Sequence, residues 1–419
     1  MIITLSRKAN IWIYILSMLL LSTLVIPNSY AKTAVFAFVL YTAWITKCAK
    51  PSLLFMISSV LLNFEIGGTI WVLATLPAYL GRSLFRKQMK LKELLYVMVT
   101  LGALALSLLL GEKANGNTLL LLLLCFCAYF TLVNDPCDEE EIKAYAVCGL
   151  IIVLVALSGS ITEGSDGLKS GRLSINDNIR SLANATAISL MLLVSCMLNT
   201  VRRKSNRNML FYAAVIVGVV ILFATLSKGA ILAFGAGVVT IFLMAKMPLH
   251  KKLIIGAVFI VVVAFVLNKL SQNEALNTDR LMENEEGFNG RTDIWLTYWK
   301  EMTRSAGRLL FGFGPGDLLR MRIINYYAHS LFLDILFSYG VVGCLLVISG
   351  FVVAWRKILL SKKPLAISLM IFAILLYATH GIANNSSYYI IMGVAAGVAQ
   401  KQTTTRAMLE AGCVEGIVV

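Results

Sequence analysis

The sequence has little charge: only 14% of its 419 residues are charged, against 58% hydrophobic, and mean hydropathy is +0.81. One soluble core can absorb only so much apolar surface, so this balance excludes an ordinary soluble globule. Acidic groups are scarcer still, with 22 Asp and Glu against 37 Lys and Arg, for a formal net charge of +15. The cations stand in short clusters between apolar runs rather than along one polar face, a pattern that sets membrane topology and argues against nucleic acid as a partner. Eight cysteines, at positions 48, 125, 127, 137, 148, 196, 344 and 413, give no disulfide framework and no metal-ligand spacing, so they read as small buried hydrophobes. No metal site is expected. No pair of carboxylates has the spacing of a glycoside hydrolase and no Ser-His-Asp order is legible, since Asp293 and Asp334 lack partners at diagnostic separations.

What is present is a succession of apolar runs of roughly 16 to 20 residues, each long enough to cross a hydrocarbon core of about 30 Å as a helix. The expected fold is an all-α polytopic membrane protein of about 12 to 14 transmembrane helices, with both termini cytoplasmic. Arg7 and Lys8 precede a first span over 11–27, read as uncleaved although it has the outline of a signal peptide ending near Ala31. A second span covers 33–46, and a long one, 52–80, is broken by Asn63, Glu65 and Gly67-Gly68. From there the basic connections 82–92, 202–207, 246–252 and 356–363 fall on one side of the membrane. The polar segments 161–181, 227–229 and 269–329 fall on the other. The chain thus divides into transmembrane helices with short loops over 1–268, a large outer loop with short helices of its own over 269–329, C-terminal spans over 330–400 and a cytoplasmic tail over 401–419.

The outer loop gathers the residues with chemical potential. Gly290-Arg291-Thr292-Asp293-Ile294-Trp295, then Phe311-Gly312-Phe313-Gly314-Pro315-Gly316, then Tyr327-Ala328-His329-Ser330 all lie within about forty residues and run into the next span. His329 is one of three histidines; imidazole both takes and gives a proton near neutrality, although a histidine opening a helix also serves as a cap or packing group. Arg291 reads as a fork for a diphosphate or as a solvated loop arginine, and Trp295 and Trp299, four apart, suit the membrane interface. Lys228, in Ser227-Lys228-Gly229 between two apolar runs, faces a polar cavity or snorkels to the interface. Arg172 and Arg180 flank a polar segment ahead of Asn184 and add positive charge there. The glycine run follows no βαβ pattern and opens no Lys-Ser/Thr sequence, so it reads as a sharp turn against the membrane helices rather than a nucleotide loop.

These motifs resemble the O-antigen ligase and polymerase superfamily of bacterial envelopes. The likeness rests on Gly290-Arg291 with Trp295, on the run from Leu310 to Gly316, and on His329-Ser330 followed after nine residues by Gly340 and then Gly343. Ser227-Lys228-Gly229-Ala230 resembles the family's Ser-Arg-Gly-Ala turn with Lys in place of Arg, which keeps the charge and loses the bidentate fork. The matching stretch runs over 225–345. The resemblance implies an inverting, metal-independent glycosyltransferase of the bacterial inner membrane, without cofactor, working on the periplasmic face. Its donor would be a glycan on undecaprenyl diphosphate and its surroundings membrane lipids. A ligase passes the O-antigen to a sugar hydroxyl of lipid A-core; a polymerase passes it to another undecaprenyl-linked repeat unit. The resemblance casts His329 and Arg291 as catalytic, with Arg291, Lys228, Arg172 and Arg180 as candidates to hold the diphosphate. A transporter or flippase is the reading from a different class, with the broken span 52–80 lining a path, but no internal repeat or polar run at mid-membrane depth supports it.

Overall fold

The computed structural model describes residues 91–110, 116–134, 136–162, 173, 179–200, 209–245, 248–272, 291–314, 328–379 and 386–410. Among them all regular structure is helix, as the apolar runs require, because a helix satisfies its own backbone groups where water is absent. The helices are α1 (Leu91–Leu110), α2 (Gly116–Asn134), α3 (Glu139–Thr162), α4 (Ile179–Thr200), α5 (Met209–Ala224), α6 (Lys228–Met244) and α7 (Leu249–Ser271). They continue as α8 (Arg291–Thr303), α9 (Ala306–Phe311), α10 (Leu331–Leu360), α11 (Pro364–Thr379) and α12 (Ser386–Glu410). By length and composition, Ser181–Leu198 and Leu331–Leu360 are long and apolar enough to cross a membrane, while the apolar stretches 95–110, 212–224, 228–244, 364–378 and 387–400 are shorter. The spans expected over 11–27, 33–46 and 52–80 lie outside the described residues.

The helices form two compact units. The first holds α3 to α7. Its core joins Val153, Ala156 and Leu157 of α3 to Leu182 and Ala185 of α4 and Ile221 of α5. Gly218 permits the close approach of α5, since a Cβ there would lie 2.6 Å from a Leu190 methyl and 3.0 Å from one of Leu150. Cys196, on α4, is a buried thiol, as are Cys125 and Cys137 in the other unit.

The second unit holds α1, α2 and α8 to α12. Here α12 lies along α2 through Gly393 and Gly397, spaced four apart so that both present backbone on one face. A Cβ at Gly393 would come within 3.0 Å of the Leu132 Cβ, and one at Gly397 would overlap the Leu132 carbonyl. Above that crossing the aromatic rings interlock: Phe351 of α10 meets Tyr388 of α12 edge to face at 5.0 Å, and Phe126 of α2 meets Tyr389 at 5.5 Å. Large apolar side chains left on the outside, such as Leu109 at 79% and Leu345 at 66% exposed, are the surface a bilayer covers.

Candidate functional site

Hydropathy reads α10 as one continuous span, but the helix is broken. Gly340 has φ 66° and ψ −171°, a combination essentially restricted to glycine, and the residues beyond it turn away from those before it. The break leaves the carbonyls of Phe337, Ser338 and Tyr339 without their usual partners three or four residues on. Each finds another donor. The Phe313 amide donates to Phe337 O at 2.9 Å and the Gly314 amide to Ser338 O at 3.0 Å. The Ser107 hydroxyl of α1 is shared between Ala103 O of its own helix at 3.3 Å and Tyr339 O at 3.5 Å.

This explains the glycine run. Gly312 has φ 77°, and a Cβ on it would sit 2.5 Å from the Gly340 nitrogen and the Ser338 carbonyl, so two glycine backbones pass in direct contact. The expectation of a sharp turn against a membrane helix is met in a specific form. The loop after α9 supplies the amides that a broken helix lacks. Gly316 and the rest of 315–327 lie outside the described residues.

The first half of α10 begins at the histidine. His329 has φ 54°, the left-handed region that histidine enters more readily than most side chains, and it is 8% exposed. Ser330 is the N-cap: its carbonyl accepts from the Asp334 amide at 2.9 Å, while its side chain makes no capping bond. Asp334 itself is buried in the first helical turn, where the helix dipole favours a negative group.

What holds this corner comes from α8. The Trp295 indole Nε1 donates to Ala328 O at 2.7 Å, one residue before the histidine. Tyr298, one turn further along, stacks on Phe337 with centroids 5.1 Å apart and meets Phe313 edge to face at 6.2 Å. These residues, with Met302 and Ala328, form a buried cluster. Arg291 opens the same helix, half-buried, four residues before Trp295 and so on the same face. Trp295 and Trp299 therefore divide the interfacial role expected of them jointly. Trp299, 46% exposed, keeps a face suited to the interface, whereas Trp295 turns inward because its N–H finds a buried carbonyl.

The expected site residues fare unequally. Arg291 and His329 belong to one unit, linked through Trp295 and Ala328. Lys228 belongs to the other, as the first residue of α6. The turn before it is tight, as expected: Leu226 has φ 49°, its amide donates to Phe223 O at 2.9 Å, and Ser227 O accepts from Ile231 N at 3.0 Å. Lys228 is half-buried there. Arg172 lies outside the described residues, and Arg180 is placed in the first turn of α4 by its backbone alone. Sequence reasoning missed Ser107, which carries no motif, and the aromatic stack of Tyr298, Phe313 and Phe337. Of those rings only Phe313, between Gly312 and Gly314, stands inside a motif.

Residues 213–348 match the family model Wzy_C, O-antigen ligase. The O-antigen ligase match and the motif resemblance over 225–345 fall on the same stretch. It takes in Lys228, Arg291, Trp295, the glycine run, His329 and Gly340, and it supports the O-antigen ligase and polymerase superfamily, a membrane-embedded, glycosyltransferase-like group. No curated protein matches the chain.

Proposed function

We propose that the protein is an O-antigen ligase of the bacterial inner membrane, transferring the glycan of an undecaprenyl-diphosphate donor to a sugar hydroxyl of lipid A-core at the periplasmic face. The observation that carries this reading is the 2.7 Å bond from Trp295 to Ala328, which ties the helix begun by Arg291 to the backbone that sets His329. A base and a cation supported by one packed cluster are what a displacement with a diphosphate leaving group needs.

In this reading the acceptor oxygen attacks the anomeric carbon from the face opposite the diphosphate, with inversion. The new C–O bond forms as the bond to the phosphate oxygen breaks, and the hydroxyl proton passes to His329. Negative charge grows on the departing diphosphate, where fixed cations in a partly dry site stabilise it more in the transition state than in the donor complex. Arg291 offers the bidentate fork for that charge and Lys228 a point charge, with Arg172 or Arg180 as further cations. The donor brings its own activated leaving group, so the reaction calls for no metal and no cofactor. The large loop over 269–329 is then periplasmic, and the basic connections cytoplasmic.

Chromosomal deletion tests the reading. Loss of the polymer ladder from lipid A-core, with long glycan accumulating on undecaprenyl diphosphate, is expected of a ligase. Lipid A-core bearing a single repeat unit would mean a polymerase using the same donor, and an unchanged profile would point to transport or another surface polymer. Complementation with His329→Ala should restore the protein to the membrane without restoring the ladder; a normal ladder at matched expression would remove His329 from the chemistry.

A further inference from the structure

Within the second unit a cavity of about 350 Å³ opens between α1, α2, α10 and α12. Its volume is in the range of small-molecule sites, roughly 300–1,000 Å³. On α10 it is lined from Val347 to Lys357, all beyond the break at Gly340. The two halves of α10 pack on each other past the break: the Phe332 ring, three residues after His329, lies 6.4 Å from that of Phe351 and 6.2 Å from that of Trp355, so the cavity adjoins the half-helix that His329 precedes, although neither His329 nor Arg291 lines it.

The walls are aromatic. Phe126, Phe351 and Tyr389 are buried and form the floor, while Tyr96 and Tyr129 are half-buried nearer the edge. Gly350 makes room for one of them: a Cβ there would run into the Tyr96 ring. Val353, also lining the cavity, is 54% exposed, so the mouth opens sideways on the apolar outer surface rather than into an internal channel. An apolar floor with a lateral mouth suits a hydrocarbon chain and excludes a free sugar or nucleotide.

Charge decides what that chain is attached to. Lys357 is the one charged side chain among the described lining residues, and it is exposed. Arg356 and Lys362 are exposed beside it, and Lys363 spends its ammonium on the Val398 carbonyl. From residue 341 to residue 379 the sequence has four cations and no Asp or Glu, so these segments bring no carboxylate of their own to neutralise Lys357. A polar head on this mouth meets the Lys357 ammonium, with the half-buried Tyr96 and Tyr129 beside it.

We infer that this cavity binds one anionic glycerophospholipid, with an acyl chain among Phe126, Phe351 and Tyr389 and its phosphate on Lys357. The inference does not depend on the proposed transfer reading, since its evidence is the cavity's own lining. It makes the α1–α2–α10–α12 packing sensitive to the charge of the surrounding leaflet.

Native mass spectrometry of the full purified chain, delipidated in detergent and then titrated with phosphatidylglycerol, tests this. One phosphatidylglycerol should be retained per chain in preference to phosphatidylcholine. The exposed-site substitution Lys357→Glu should weaken retention at least about fivefold, the effect of one cation on an anionic headgroup. Ala354→Phe, which fills the cavity from α10, should abolish it, and His329→Ala should leave it unchanged. Equal retention of phosphatidylcholine, or no loss with Lys357→Glu, would overturn the assignment. So would displacement of phosphatidylglycerol by equimolar undecaprenyl phosphate, which would give the cavity to a polyprenyl tail.

Discussion

Replacing Gly340 by alanine adds one methyl group at the point where two backbones touch. A Cβ on Gly340 would overlap the Leu310 carbonyl and lie 2.5 Å from the Gly312 nitrogen, and neither is a flexible side chain that can swing aside. Alanine at φ 66°, ψ −171° is itself strained by about 1–3 kcal/mol. If the glycine loop withdraws to make room, the Phe337 and Ser338 carbonyls lose the Phe313 and Gly314 amides, at about 1–3 kcal/mol for each buried group left unpaired. Together these give roughly 3–9 kcal/mol, a large part of the 5–15 kcal/mol that holds a typical domain folded. At about 2–4 °C per kcal/mol for a unit of this size, the thermal midpoint should fall by at least about 6 °C. The assay is thiol exposure on heating in detergent, read with a fluorogenic maleimide. Gly102→Ala is the matched control, a helical glycine of the same unit with nothing within 4 Å of its would-be Cβ. It should be neutral or more stable by up to about 1 kcal/mol. A Gly340→Ala protein that melts with the Gly102→Ala protein would refute the claim that the two glycine backbones hold this junction.

Much of this architecture is legible in the sequence. The all-helical class followed from long apolar runs that leave no other way to satisfy backbone in lipid. The turn before Lys228 followed from three small or polar residues wedged between two such runs. The two histidine-side glycines and the outer-loop glycines were visible as motifs, but that they belong together was not, because 27 residues separate Gly312 from Gly340 and hydropathy is blind to a glycine with positive φ. The inward turn of Trp295 was equally hidden: an indole four residues from another on an amphipathic helix is oriented by a carbonyl that only folding delivers. Ser107 is an unremarkable serine in an apolar helix until a broken helix elsewhere needs its hydroxyl.

The spacing of the motifs has a structural meaning. Nine residues, 331–339, separate Ser330 from Gly340, and they are the first half of α10, about 14 Å long. That half-helix is clamped at both ends by the same loop. Trp295 holds the carbonyl just before its start, and Phe313 and Gly314 hold the carbonyls exposed at its end. Tyr298, stacked on Phe337, braces the interval between. A continuous helix would need none of these contacts, and its start would be free to shift along its length. Breaking the helix fixes the register of His329 against α8, the helix that begins with Arg291. The strain at Gly340 and at the left-handed His329 is therefore spent on position.

If Trp295 positions the histidine, Trp295→Phe should keep the ring packing, lose the bond to Ala328 and lower the transfer rate about tenfold with little change in KM. An unchanged rate would make the bond merely structural. Lys228→Arg should be tolerated and Lys228→Met should not, measured as lipopolysaccharide ladder at matched expression, and equal activity of the two would make Lys228 a membrane anchor. The sharpest test of the clamp is an alanine inserted between Leu333 and Asp334. One extra residue turns the start of the half-helix by about 100° and moves it about 1.5 Å relative to the break, so the Trp295 and Phe313 contacts cannot both survive. Transfer should be lost while the apolar character that carries the span into the membrane is unchanged. Removing one residue elsewhere in the half-helix restores its length and, with it, the register at both ends, so Leu336 deleted in the same chain should recover part of the activity. An inserted chain as active as wild type, or no recovery in a compensated chain that still reaches the membrane, would show that the position of His329 does not depend on the distance to Gly340.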